Sequence, residues 1–157
     1  MEKGTPYCIW FTGMPNSGKS TLVYHLLQKQ LRNCIVIDGD KFREHITPEL
    51  SFSREDILKN NKSAIKTIKY LMGQGFNVLV AMITPFQEIR DLARKEIDNY
   101  IEVFVCCPES VRKTRPSFMA SEILYEVPLT EDITIQTDKE SIEESTNRVL
   151  NYLKEKR

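Results

Sequence analysis

The 157-residue chain has no charge of either sign to spare, since 22 lysines and arginines cancel 22 aspartates and glutamates. A balanced field gives no reason to expect a polyanion such as nucleic acid as the main partner, so any anion site must be local. Metal-ligating side chains are scarce too. The two histidines and four cysteines (Cys8, Cys34, Cys106 and Cys107) show no CxxC spacing. The cysteines fall mostly within apolar runs, which reads as buried free thiols rather than a metal or redox site. No apolar stretch approaches the roughly 18 residues that span a bilayer, and the start MEKGTPY lacks the apolar segment of a signal peptide. The expected setting is therefore reducing and cytoplasmic, with no membrane partner. Repeats, linkers and low-complexity tracts are also missing. A 41% hydrophobic content over this length suits one core, so residues 1–157 are expected to form a single domain.

What is present is an alternation. Five short runs rich in β-branched or aromatic residues, at 7–13, 34–40, 77–83, 101–107 and 132–137, read as strands. The middle ones are apolar throughout rather than alternately, as expected of strands covered on both faces. Segments 17–31, 53–72, 85–97 and 139–154 carry apolar residues at three- and four-residue spacing and read as helices, with Gly73-Gln74-Gly75 stopping the second. The fold expected is α/β, a mostly parallel five-stranded sheet between two helical layers. Residues 107–128 have weak periodicity and are expected to be irregular.

The first strand runs into Gly13-Met14-Pro15-Asn16-Ser17-Gly18-Lys19-Ser20-Thr21, which fits GxxxxGK[ST] without mismatch and opens a helical pattern. Such a loop wraps backbone N–H groups and the positive end of a helix around a phosphate chain. Lys19 adds a point charge for the β- and γ-phosphates, and Ser20 offers a hydroxyl to Mg²⁺. Gly13, Asn16, Ser17, Gly18, Lys19, Ser20 and Thr21 are the candidate nucleotide-binding residues of a P-loop, with ATP and Mg²⁺ as the implied cofactors.

In a doubly wound sheet, ligands gather beyond the carboxyl ends of the strands. The second strand ends in Asp38-Gly39-Asp40, followed by Lys41 and Arg43. A carboxylate within reach of a hydroxyl can take its proton as the oxygen attacks phosphorus. Asp40 is the candidate for that role and Asp38 for the waters of the metal, although aspartates also favour solvated turns and helix N-caps. The third strand ends at Ile83-Thr84-Pro85-Phe86. Ile83 and Thr84 are candidate acceptor contacts there, and Thr84 is also expected to cap a helix starting at Pro85.

GMPNSGKST, IDGDKFR, SFSRED, ITPF with RDLAR, and YEVPL, in this order, resemble the adenylylsulfate kinases over nearly the whole chain. Those enzymes use MgATP to phosphorylate the ribose 3′-hydroxyl of adenosine 5′-phosphosulfate. The resemblance implies that Asp40 lies near the acceptor hydroxyl, that Arg43 contacts the substrate, and that Phe52 stacks on its base. It places the second ring of the base sandwich at Phe118, seven residues before Tyr125. It also implies a homodimer, since similar kinases often form one.

The chain departs from the pattern too. Where the family has Glu-Asp-Arg and an Asn-Ile-Arg-Arg run, this sequence has Glu55-Asp56-Ile57 and Asn60-Asn61-Lys62-Ser63. Asn60 is kept, and Lys62 supplies charge without the planar fork of arginine. The family's Lys-Gly-Leu-Tyr lid motif is absent, leaving Arg112, Lys113 and Arg115 as a basic cluster. Arg115 is a candidate nucleotide contact, and a solvated charged face is the other reading. The shortened lid and missing arginines keep two acceptors open: adenylyl sulfate, and a related 5′-activated nucleotide such as the cytidine diphosphoramidate used in capsule modification by similar kinases. A non-catalytic nucleotide-binding module is the alternative from another class. Retention of Asp38 and Asp40, and the lack of an NKxD-type guanine motif, speak against it.

Overall fold

A computed structural model describes residues 4–29, 31–116 and 123–157. Five strands, β1 (Cys8–Thr12), β2 (Cys34–Asp38), β3 (Asn77–Ala81), β4 (Tyr100–Cys106) and β5 (Ile133–Gln136), form one sheet in the order β2-β3-β1-β4-β5. All four pairings are parallel, with Cys8 opposite Val78 on one side of β1 and Tyr100 on the other. Each expected strand is therefore present, its ends moved by no more than two residues.

The uninterrupted apolar sequence of β1 follows from burial on both faces. Tyr7, Ile9 and Phe11 point to one side, where Leu22, Val23 and Leu26 of α1 (Lys19–Gln28) meet Val149 and Leu153 of α6 (Ile142–Lys156). Cys8 and Trp10 point to the other, against Ile57, Ile65 and Ile68 of α3 (Arg54–Gly73) and Ile89 of α4 (Gln87–Glu96). The result is three layers, helices over both faces of the sheet. All four cysteines are free; Cys8 is fully buried and the other three are half-buried. No helix among the described residues is long and apolar enough to cross a membrane.

Two elements differ from the sequence reading. Asp38-Gly39-Asp40 opens a short helix, α2 (Gly39–His45), whose amides at Asp40 and Lys41 donate to the Asp38 carboxylate. The Asp38 cap makes seven polar-rich residues helical where no periodicity marks them. Thr84 does not cap α4. It is buried with φ 49°, Phe86 is the N-cap, and the helix begins at Gln87. The reason is that Thr84 is bonded inward: its hydroxyl accepts from Trp10 Nε1 at 2.8 Å, and its carbonyl accepts from Arg90 Nη1 at 2.7 Å. The irregular stretch after β4 holds one turn of helix, α5 (Glu109–Arg112). Phe118 lies outside the described residues.

Candidate active site

Because the strands are parallel, β1, β2, β3 and β5 deliver Gly13, Asp38, Ile83 and Thr137 to one edge of the sheet. The loop of residues 13–18 crosses that edge beside its centre. Gly13 passes so close to β4 that a Cβ there would lie 2.4 Å from the Val105 carbonyl oxygen, which only glycine allows. Gly18 stands at the N-cap of α1 with φ 110° and no side chain to cap the helix. The first amides of α1 thus remain available to an outside acceptor, and no acidic residue in the first turn competes for them.

The loop is held from outside by residues that sequence reasoning gave no such role. Thr137 Oγ1 donates to the Ser17 carbonyl at 2.5 Å, and Arg115 donates to the Asn16 carbonyl at 2.9 Å and to Thr137 Oγ1 at 3.1 Å. Arg112, almost fully buried, donates to the Pro15 carbonyl at 3.2 Å. The cluster after β4 is therefore not simply a solvated face: Arg112 and Arg115 brace the loop, while exposed Lys113 pairs with Glu109. Position at a strand end was the one sequence signal for Thr137; nothing marked Arg112 as a brace.

Inside the loop, Lys19 Nζ donates to the carbonyls of Gly13 and Met14, both at 2.8 Å. Burial pushes its pKa down to about 7, opposed by Asp40, assisted by the cation of Arg112, and opposed again by Asp38. A neutral amine still has two N–H groups, enough for both carbonyls. A phosphate chain in the loop would replace that arrangement and recharge the lysine.

Ser20 Oγ donates to Asp38 Oδ2 at 3.1 Å, while Asp38 Oδ1 caps α2. Asp38 therefore serves both the turn and the hydroxyl at the loop. No group of three or more His, Cys, Asp or Glu that could hold a metal occurs among the described residues. One serine oxygen beside one carboxylate is instead the sparse donor set that suits Mg²⁺, which retains several waters and takes other ligands from phosphates. Asp40, one residue into α2, is exposed.

A cavity of about 910 Å³ runs along this edge. On the α6 side Thr137, Glu140, Ser141, Ile142 and Ser145 line it, with Arg115. Its middle is Asn16, Gly18, Lys19, Ser20, Thr21, Asp38 and Asp40. On the α3 side it is bounded by Arg43, Phe52, Ile57, Asn60, Asn61, Ile83 and Thr84. The Phe52 ring is 71% exposed, with the Arg43 guanidinium 4.3 Å from its centroid and bonded onward to the Leu50 and Ser51 carbonyls. Buried Asn60 is fixed by the Thr47 hydroxyl at 2.6 Å. Lys62 is exposed on α3 and does not line the cavity. Gly13 and Ser17 are buried within the loop and shape it from behind.

Behind the α3 side lies a buried polar network. Arg90, 1% exposed, donates to the carbonyls of Thr84 and Glu126, and its Nε lies 3.9 Å from the carboxylate of Glu102. Burial pushes the Glu102 carboxyl up, against the pull of Arg94 and Arg90. Tyr125 stands 5.3 Å from the Arg90 guanidinium and shares a hydrogen bond with Thr12 at 2.8 Å. The RDLAR and YEVPL segments thus hold the end of β3 in place.

A parallel β2-β3-β1-β4-β5 sheet with an uncapped helix start, a buried lysine and a serine–aspartate pair at its carboxyl edge defines a P-loop kinase. The family model for adenylylsulphate kinase matches residues 5–136. The adenylyl-sulfate kinase of Thermodesulfovibrio yellowstonii is 33% identical over 170 residues, covering 96% of this chain and 84% of that protein. That of Gloeothece citriformis is 35% identical, covering 92% of both. The structure of the Mycobacterium tuberculosis APS kinase CysC in complex with AMPPNP and APS superposes with a TM-score of 0.84 at 30% identity, over 97% of this chain and 99% of that one. The chain belongs to the adenylylsulphate kinase family and is a phosphotransferase with an alcohol acceptor.

Proposed function

We propose that this protein transfers the γ-phosphoryl group of ATP to the ribose 3′-hydroxyl of adenylyl sulfate. The observation that carries the reading is the shared cavity. An uncapped helix N-terminus and Lys19 stand on one side of Asp40, and an open aromatic ring, Phe52, stands on the other. The donor's phosphates lie in the loop of residues 13–18, with Lys19 recharged against the β- and γ-phosphates. Ser20 and, through water, Asp38 would hold Mg²⁺, which when bound neutralises charge developing on the transferred group. Asp40 takes the proton of the acceptor hydroxyl as that oxygen bonds to phosphorus, and the bond to the bridging oxygen of ADP breaks. Arg43 and Phe52 orient the acceptor, with Asn60, Ile83 and Thr84 shaping its wall. Positioning and charge stabilisation supply most of the rate.

Arg115 completes the donor side next to Asn16. A homodimer and a cytoplasmic location belong to the same reading, drawn from the likeness to other kinases and from the composition. A second acceptor, another 5′-activated nucleotide, is favoured by one observation: Ile57, an apolar residue, lines the cavity where the family pattern has arginine. The test is ADP formation with MgATP, with and without adenylyl sulfate. Rapid ADP release only when the acceptor is present supports the reading. Equal release without acceptor would identify a plain ATPase, and release only with a cytidine nucleotide would favour the second acceptor.

A further inference from the structure

One residue lining the cavity carries a polar atom without a partner. Asn61 is 2% exposed, lines the cavity on the α3 side, and its Nδ2 makes no hydrogen bond. The other buried side-chain atoms left unpaired among the described residues belong to Ser17, Arg90 and Glu102, none of which lines the cavity. The other polar residues on this wall of the cavity are engaged elsewhere: Asn60 Oδ1 accepts from Thr47, the Thr84 hydroxyl accepts from Trp10, and Arg43 serves two backbone carbonyls. A buried amide donor without a partner is costly, and such groups persist where a ligand satisfies them.

The position indicates which part of the ligand that is. Asn61 lies four residues beyond Ile57, so the two share a helix face, and both line the cavity that Phe52 enters at the start of α3. With the reacting hydroxyl at Asp40, the ribose is fixed near α2. A flat group resting on the open Phe52 ring and against Ile57 then turns its edge toward Asn61. We infer that Asn61 Nδ2 donates to a ring nitrogen or carbonyl oxygen on the nucleobase of the acceptor, and so selects which base this kinase accepts. The inference rests on the kinase reading above. It adds a specificity contact that the sequence motifs did not single out.

The test compares the parent enzyme with Asn61→Leu and Asn61→Asp, using nucleoside 5′-phosphosulfates that carry adenine, guanine, cytosine or uracil. Leucine keeps the volume and removes the donor; aspartate replaces it with an acceptor. The expected result is a fall of about tenfold in kcat/KM for the best base in Asn61→Leu, through KM, because one hydrogen bond is lost. The ratio between best and worst bases should narrow by a similar factor, while the KM for ATP stays within about twofold. Asn61→Asp should penalise the best base further and leave a base offering only donors at that edge less affected. Equal losses on all four bases, or no loss, would overturn the inference while leaving the kinase reading intact. If the parent enzyme phosphorylates none of the four, the adenylyl sulfate reading fails first, and the inference falls with it.

Discussion

Lys19 makes nucleotide binding a protonation event. Its pKa is lowered from the ordinary 10.5 to about 7 because burial strips water from the ammonium, which Asp40 and Asp38 offset only in part. Holding it charged in the ligand-free site costs on the order of 5 kcal/mol relative to water. The sign follows directly. The folded, ligand-free state binds fewer protons than the unfolded chain between about pH 7 and 10.5, so this group's destabilisation is complete below pH 7 and relieved as pH rises through that window. A triphosphate in the loop supplies the missing negative charge and restores the proton. Binding of MgATP should therefore take up about 0.9 of a proton at pH 8 and about 0.1 at pH 6. Isothermal titration calorimetry in buffers of different ionisation enthalpy reads that number from the slope of observed against buffer enthalpy. Affinity should fall about tenfold per pH unit above 7. Lys19→Met should abolish the uptake at pH 8. A buffer-independent enthalpy at pH 8 in the parent protein, or an unchanged uptake in the variant, would refute the reasoning.

Three further outcomes are expected. Asp40→Asn should lower kcat by about 10²-fold or more with little change in acceptor KM, as for loss of a proton acceptor, measured by steady-state ADP release. Phe52→Ala should raise the acceptor KM about tenfold, from lost base stacking, with the melting temperature unchanged because the ring is 71% exposed. Arg90→Met should cost roughly 3–5 kcal/mol by taking the donor from the Thr84 and Glu126 carbonyls and leaving Arg94 as the remaining cation beside buried Glu102, a drop of about 10 °C in a calorimetric melt. In that variant the loosened end of β3 should also raise acceptor KM.

The strands were legible because a strand covered on both faces must be apolar at every position, and no other short element here shares that pattern. The loop was legible because its geometry demands glycine at Gly13 and Gly18. By contrast, α2 is made helical by one cap, Asp38, and carries no periodic face to read. Thr84 resembled a helix start because Thr-Pro is locally ambiguous; what decides its conformation is Trp10, 74 positions away in the chain. The braces on the loop are equally remote, Arg112 reaching Pro15 across 97 positions and Thr137 reaching Ser17 across 120. Lys62 shows the limit of residue-by-residue analogy. The lysine that stands in place of an arginine of the family pattern is exposed on α3 and outside the cavity lining, which its spacing in the sequence did not reveal.

Everything proposed for the site turns on where the phosphoryl group lands. Phosphorus and proton NMR of the product formed from MgATP and adenylyl sulfate answers this directly. The account predicts one new phosphomonoester signal coupled to the ribose H3′, in step with ADP. Free inorganic phosphate with the nucleotide unaltered, or a phosphoryl group on the 2′-oxygen, would contradict it.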